Sequence, residues 1–219
     1  QLGDGTTTNR NLPYVVEPGV IYKDFYLYAD RTCGFTDSDV LKCWGENGDA
    51  ELGLGYSTQR VTVPSVVDSG TTYKQVSLGT DSGCGLTTLD KLKCWGRNYD
   101  GQLGDGTTST SNNPILIDAS EDYKKIQVAN RAVCALTTSN ELKCWGANGS
   151  QLFPEDVLEP TIISEGNTFL DFKINSNNGG CAIKAGTPNA LYCWYLYVGE
   201  DTVDVNTKVP NVVDSLDTY

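Results

Sequence analysis

The chain has 219 residues, with 28 acidic against 16 basic side chains, no histidine and no methionine, for a formal net charge of −12. A field of that sign holds off polyanions, so nucleic acid is excluded as an expected partner. Without histidine no Ser-His-Asp or Cys-His arrangement can be built. No apolar run reaches the ~20 residues of a spanning helix, so no membrane insertion is expected within these residues, and any anchor or export signal is expected to lie outside them.

In chain order, the sequence opens on the turn phrase Gln1–Asn9 (QLGDGTTTN) and an apolar run, Pro13–Val16 (PYVV). A first hairpin core near 22–45 ends on Lys42–Gly45 (KCWG). The polar phrase Gly45–Thr58 (GENGDAELGLGYST) and the run Pro64–Val67 follow. A second core near 73–96 ends on Lys93–Gly96 and leads into Gly96–Thr108 (GRNYDGQLGDGTT) and Pro114–Ile117. The third core, near 123–146, shows its parts most clearly as Tyr123–Val128, Ala132–Thr137 and Glu141–Gly146. A fourth core near 169–195 ends on the variant Tyr192–Tyr195 (YCWY), after which the turn phrase decays at Leu196–Thr202. Connecting segments span 1–21, 46–72, 147–168 and 196–219.

The runs are short, rich in Val, Ile, Tyr and Thr, and bounded by Gly, Asn, Asp or Ser, which marks antiparallel strands, four to a unit. No stretch sustains a 3.6-residue period, so almost no helix is expected. The tryptophans Trp44, Trp95, Trp145 and Trp194 lie 51, 50 and 49 residues apart, and a period near 50 made of strands means a stacked β-array. The expected fold is all-β: β-propeller-type blades of four antiparallel strands, about four blades plus an overhanging segment, in one array over 1–219 that is open or completed by neighbouring sequence or subunits. The apolar residues Leu2, Val15 and Val16 at one end, and Val209, Val212 and Val213 at the other, lack the polar character of capping repeats and are candidates for a subunit junction.

Eight cysteines form four pairs, Cys33/Cys43, Cys84/Cys94, Cys134/Cys144 and Cys181/Cys193, each flanking a tight turn. An even separation about a short turn sets the two residues opposite each other on one hairpin face, with Cα atoms about 4.5 Å apart at a non-hydrogen-bonded site, within disulfide range. Each pair is therefore expected to close within its hairpin. Buried free thiols and zinc are the alternatives; structural zinc calls for close-spaced cysteine knuckles or histidine, and histidine is missing. Disulfides in every unit point to an oxidising setting, secreted or at a cell surface. Asn148-Gly149-Ser150 is a glycosylation sequon on an expected exposed turn.

The phrase after each hairpin resembles the regulator-of-chromosome-condensation repeat family, whose blades carry W-G-x-N-x-x-G-Q-L-G-x-G at this place. The resemblance covers essentially the whole chain and blurs in the fourth unit. It implies a propeller, usually of seven blades; at about 50 residues each, seven would need on the order of 350 residues. The family's founding member acts on chromatin and promotes nucleotide exchange on a small GTPase, a role that calls for a basic footprint. This acidic, cystine-stapled chain departs from that pattern on both counts.

The tryptophans read as core residues filling the spaces between blades. A tryptophan beside a cystine residue points to the opposite strand face, so the two pack different interfaces. The Gly-Asp-Gly pieces at Gly3–Gly5 and Gly104–Gly106 read as tight turns rather than calcium loops, since Leu54 replaces the Asp in the second unit. Carboxylate pairs such as Asp37/Asp39 and Glu200/Asp201 read as solvated turn charges, not as an acid–base pair. No catalytic residue, metal site or cofactor is expected. The functional expectation is an extracellular structural or adhesive β-blade protein that assembles head to tail into a fibre or forms part of a larger surface propeller, its partners being copies of itself or another extracellular protein. The alternative is a secreted protein- or glycan-binding module that uses one propeller face.

Overall fold

The structure is a computed structural model that describes residues 2–147, 157–176 and 179–194, together with the backbone of 211–212. The described residues form strands and turns with no helix, in four antiparallel sheets of four strands each, taken in chain order. Unit 1 holds β1 (Tyr22–Tyr28), β2 (Arg31–Thr36), β3 (Leu41–Glu46) and β4 (Arg60–Val66). Unit 2 holds β5 (Tyr73–Leu78), β6 (Ser82–Thr87), β7 (Leu92–Gly96) and β8 (Ser111–Ile117). Unit 3 holds β9 (Tyr123–Val128), β10 (Ala132–Thr137), β11 (Leu142–Gly146) and β12 (Val157–Ile162). Unit 4 holds β13 (Phe169–Ile174), β14 (Gly180–Lys184), β15 (Ala190–Trp194) and β16 (Asn211–Val212).

The hairpin turns between second and third strands follow from their residue types. Asp39, Asp90 and Asn140 take φ of 63, 64 and 73°, a left-handed conformation that Asp and Asn tolerate. The hydroxyls of Thr36, Thr87 and Thr137 accept the amides of Val40, Lys91 and Glu141 at 3.2, 3.1 and 2.9 Å, closing the turn from inside. Prolines Pro64, Pro114 and Pro160 stand in the fourth strands, and Pro is tolerated there because a fourth strand lies at the sheet edge.

Successive first strands β1, β5, β9 and β13 touch one another, so the first strand of each unit is innermost and the proline-led fourth strand outermost. That is the blade order of a propeller. The core is divided among the joints. Phe35, Leu41 and the cystine Cys33–Cys43 of unit 1 meet Tyr73, Val76 and Trp95 of unit 2. Leu86, Leu92 and Cys84–Cys94 meet Tyr123, Ile126 and Trp145 of unit 3. Leu136, Leu142 and Cys134–Cys144 meet Phe169, Phe172 and Trp194 of unit 4. Each unit therefore offers its cystine side to the next unit and its tryptophan side to the previous one, the division that strand alternation dictates.

Candidate functional site: blade joints and two open flanks

The joints are built from four devices that recur at the same positions. The first is the hairpin staple. Cys33 lies opposite Cys43, Cys84 opposite Cys94, Cys134 opposite Cys144 and Cys181 opposite Cys193. Their Cα atoms are 4.0–4.1 Å apart and all four pairs are disulfide-bonded. Three staples are buried under the next unit, whereas Cys181 and Cys193 are half-buried.

The second device seats Trp44, Trp95 and Trp145 on the turn phrase that precedes each one's unit. Trp95 Nε1 donates to the Glu51 carbonyl at 2.8 Å and Trp145 Nε1 to the Gln102 carbonyl at 3.1 Å. The indole then lies against the glycine two residues on. A Cβ on Gly104, at φ +79°, would meet Trp145 Nε1 at 2.6 Å, so only glycine fits. Gly53 under Trp95 and Gly3 under Trp44 are its counterparts. The phrase itself is folded around Asn98, whose Oδ1 accepts from Leu103 N at 2.8 Å and whose Nδ2 donates to the Thr107 carbonyl at 2.9 Å. Asp105 spends its carboxylate on the Thr107 amide and hydroxyl, at 3.0 and 2.9 Å, as a turn residue does.

The third device is a lysine–carboxylate–tyrosine clip that holds the link between successive units. Asp118 Oδ2 accepts from Tyr123 Oη and from Lys143 Nζ, both at 2.8 Å. Asp68 accepts from Tyr73 Oη at 3.0 Å and from Lys93 Nζ at 2.5 Å. Glu17 accepts from Tyr22 and, at 2.8 Å, from Lys42. Burial pushes the Asp68 and Asp118 carboxyls up, but the hydrogen bonds from their lysines and tyrosines outweigh it and hold both below the ordinary carboxylate value. Burial, reinforced by the neighbouring carboxylate, drives the Tyr73 and Tyr123 phenols well up, so they remain hydrogen-bond donors. Unit 4 replaces all three members together, with Ser164, Phe169 and Tyr192 at the positions of Asp118, Tyr123 and Lys143. Losing the cation, the anion and the hydroxyl at once leaves no unpaired buried group.

The fourth device joins inner strands directly. The amides of Tyr73, Tyr123 and Phe169 donate to the carbonyls of Asp39, Asp90 and Asn140, at 3.1, 2.8 and 2.8 Å, in the hairpin turn of the preceding unit. Gln75 Nε2 donates to the Ile126 carbonyl at 2.8 Å, and Val128 and Ile174 amides donate to Ser77 Oγ and Gln127 Oε1 at 2.8 and 2.7 Å.

Two flanks carry half a joint each. Phe25 of β1 holds the place of Val76, Ile126 and Phe172, which are 1, 0 and 2% exposed, yet Phe25 is 65% exposed. Leu27 is 68% exposed where Leu78 and Val128 are buried. At the other end Ile183 and Leu191 hold the places of Phe35 and Leu41, and of Leu86 and Leu92, but are 39 and 43% exposed. Together with the half-buried staple Cys181–Cys193 they form the surface that elsewhere receives an inner strand. None of these four apolar residues stands out in the sequence; aligning each with its three counterparts is the signal that finds them. Of the end residues singled out from sequence, Leu2 and Val15 are exposed, while Val16 packs onto the first core cluster. Val212 lies in β16 opposite Tyr192; Val209 and Val213 lie outside the described residues, as do the sequon at Asn148, the pair Glu200/Asp201 and the phrase Leu196–Thr202. Trp44, Trp95, Trp145 and Trp194 are all buried. Asp37 is exposed, and Asp39 pairs with Lys23. Among the described residues no helix is long and apolar enough to cross a membrane.

These joints match a known repeat. Residues 73–102 and 93–130 match models of the Regulator of chromosome condensation (RCC1) repeat. The "Probable E3 ubiquitin-protein ligase HERC4" of Rattus norvegicus is 38% identical over 80 residues, 33% of this chain and 8% of the relative. Among solved structures, yeast RCC1 (Prp20), crystallised with Kap60, superposes with a TM-score of 0.72 at 16% identity, over 94% of this chain and 51% of that one. The CRINKLY WD40 ectodomain of the Arabidopsis thaliana receptor kinase ACR4 gives a TM-score of 0.53 at 21% identity, over 81% of this chain and 57% of that one. At such identities the likeness is one of fold. The chain thus spans less than a tenth of its curated relative and about half of the yeast propeller. Family models, relative and fold agree with the joint geometry: residues 73–130 carry repeats of the regulator-of-chromosome-condensation type, and the chain has the fold of β-propellers of that type.

Proposed function

We propose that this chain is a structural module of an extracellular or cell-surface protein, whose work is to bind protein, copies of itself above all, by adding blades head to tail. The observation that carries this reading is the pair of flanks. Phe25 and Leu27 present the inner-strand half of a joint, and Ile183 and Leu191 present the half that covers it. Three complete joints within the chain show how such halves fit. A contact between different flanks of identical chains is heterologous, so it propagates as a fibre or closes as a ring according to the rotation per step. The staples support the extracellular setting, since disulfides persist where the surroundings oxidise, and a receptor-kinase ectodomain of similar fold is in keeping with it. Protein binding as such is in keeping with yeast RCC1, whose structure holds Kap60. No step of the reading requires catalysis.

Light scattering and negative-stain microscopy across a concentration series test it. The expected result is particles larger than the 23.7 kDa chain, whose size falls on dilution and with Phe25→Asp or Ile183→Asp. Strict monomers at all concentrations refute it. A glycan- or protein-binding face is the second reading; the exposed Tyr99, over which Arg97 stacks at 4.6 Å, is the feature that favours it, and retention of monomer on a glycan array would raise it above the first.

A further inference from the structure

Units 2 and 3 depart from the repeat at one spot. The phrase after each hairpin keeps what the joint needs: Asn47 and Asn98, Leu52 and Leu103, Gly53 and Gly104. Between these fixed points Glu46 and Gly48 of unit 1 become Arg97 and Tyr99 in unit 2, and unit 3 has Ala147 at the place of Arg97. A third departure lies in the turn between first and second strands. Asp30, Asp81 and Arg131 hold the same place there, since their carbonyls accept the amides of Glu46, Arg97 and Ala147 at 3.2, 2.8 and 2.9 Å. The backbone task is the same in all three units, so it accounts for neither the two guanidiniums nor the phenol.

The fold brings the three departures together. Arg97 pairs with Asp81 at 3.0 Å and stacks on the Tyr99 ring at 4.6 Å. Arg131 reaches from unit 3 to Asp100, the residue after Tyr99, at 3.8 Å. The turn that carries the ring is fixed, because Gly101 N donates to the Asn98 carbonyl and Asp100 N to Gln102 Oε1, both at 3.0 Å. Tyr99 is nevertheless 61% exposed, and it is the one large apolar side chain among residues 79–82, 97–101 and 129–132. A single ring among charges offers far less than the ~1,000 Å² of a stable protein interface. It has the size of one sugar ring. The local charge also differs from that of the neighbouring joint. Asp30, Glu46, Asp49 and Asp81 stand between units 1 and 2, whereas Asp81, Arg97, Asp100 and Arg131 stand between units 2 and 3. This spot is therefore balanced within a chain of net charge −12, and it favours a neutral ligand with both donors and acceptors.

We propose that Tyr99, Asp100 and Arg131 form a binding site for a neutral pyranose sugar. The sugar lies on the Tyr99 face opposite Arg97, its polarised C–H groups against the negative face of the ring. Arg97 holds the ring in place by cation–π stacking, so little side-chain freedom is lost on binding. Adjacent hydroxyls then donate to the Asp100 carboxylate and accept from the Arg131 guanidinium. At 3.8 Å these two groups are too far apart to hydrogen-bond each other directly, which leaves their donors and acceptors to the ligand. Such charge-assisted bonds are about twice as strong as neutral ones. Contacts of this kind orient a ligand that the ring alone would hold in any rotation.

The inference rests on the glycan-binding reading and does not depend on head-to-tail assembly. The full chain is applied to an array of neutral oligosaccharides built from glucose, mannose, galactose and N-acetylglucosamine. Any retained sugar is then titrated into the parent, Tyr99→Phe, Tyr99→Ala and Arg131→Ala, with the Tyr99 ring protons followed by NMR in the parent. The expected outcome is retention, shifted Tyr99 ring signals and binding by Tyr99→Phe, which keeps the ring. Tyr99→Ala should bind about tenfold more weakly and Arg131→Ala more weakly than the parent. Melting temperatures should stay unchanged, since neither side chain is part of a joint. Binding that Tyr99→Ala leaves intact overturns this site and keeps a glycan-binding face elsewhere on the chain. A parent that retains no neutral oligosaccharide overturns both the site and the glycan-binding reading.

Discussion

The seat of Trp145 makes a quantitative prediction at Gly104. Two glycines with left-handed backbones differ only in what surrounds them: Gly104, at φ +79°, lies against Trp145, and Gly70, at φ +91°, has nothing within 4 Å of an added Cβ. Alanine at either place incurs the left-handed penalty, about 1–2 kcal/mol. At Gly104 the new methyl also meets Trp145 Nε1 at 2.6 Å. Trp145 is buried and tied to the Gln102 carbonyl, so it cannot step aside without breaking that bond. Overpacking of this kind adds about 1–3 kcal/mol. For a chain of this length each kcal/mol moves the melting temperature by about 2–4 °C. Gly70→Ala should therefore melt about 2–8 °C below the parent, and Gly104→Ala a further 2–12 °C lower, with changed tryptophan fluorescence only in the latter. Equal losses for the two variants would show that the indole does not rest on the glycine, and the account of the joint would fall with it.

The clip predicts a pH dependence. Asp118 has its folded pKa held below the ordinary carboxylate value, so its contribution is present above about pH 4 and is lost as pH falls through the folded pKa. Asp118→Asn should cost about 1.5–3 kcal/mol near neutrality, and its melting temperature should converge on the parent's as the pH is lowered below about 4; a constant gap from pH 2 to pH 7 would contradict the clip. The staples predict an order of reduction. Cys181–Cys193 is half-buried and the other three are covered, so a mild reductant followed by alkylation and mass mapping should label that pair first; prior labelling of Cys84 and Cys94 would show that joint 2 to 3 is open.

Much of this was legible in the chain because the joints repeat. A tryptophan, a glycine and an asparagine recur at fixed spacing when one indole must rest on one turn, so the phrase around Asn98 and Gly104 announces its own geometry. The cystine pairing was legible for the same reason, since opposite positions on a hairpin follow from an even separation. The clip was not, although Lys42, Lys93 and Lys143 stand inside the most conspicuous phrase. Their carboxylates come 25 residues earlier, in the link from the preceding unit, and only the concerted change to Tyr192, Ser164 and Phe169 betrays the pairing. The flanks were least legible. Phe25 and Val76 are the same kind of residue at the same place in the repeat, and what differs is whether a neighbour is present. Among end residues, Val16 resembles Val15 in sequence, yet the clip at Glu17 turns the one inward and leaves the other out.

Each staple spans a sequence separation of only 10 or 12 residues and lies within one hairpin, so no covalent bridge links one unit to the next. A pulling force along such a chain would separate units one by one while every hairpin kept its own loop locked. Each ten-residue loop withholds about 35 Å of contour from extension. The molecule would lengthen in short, repeated steps, as a ratcheted tether rather than a thread.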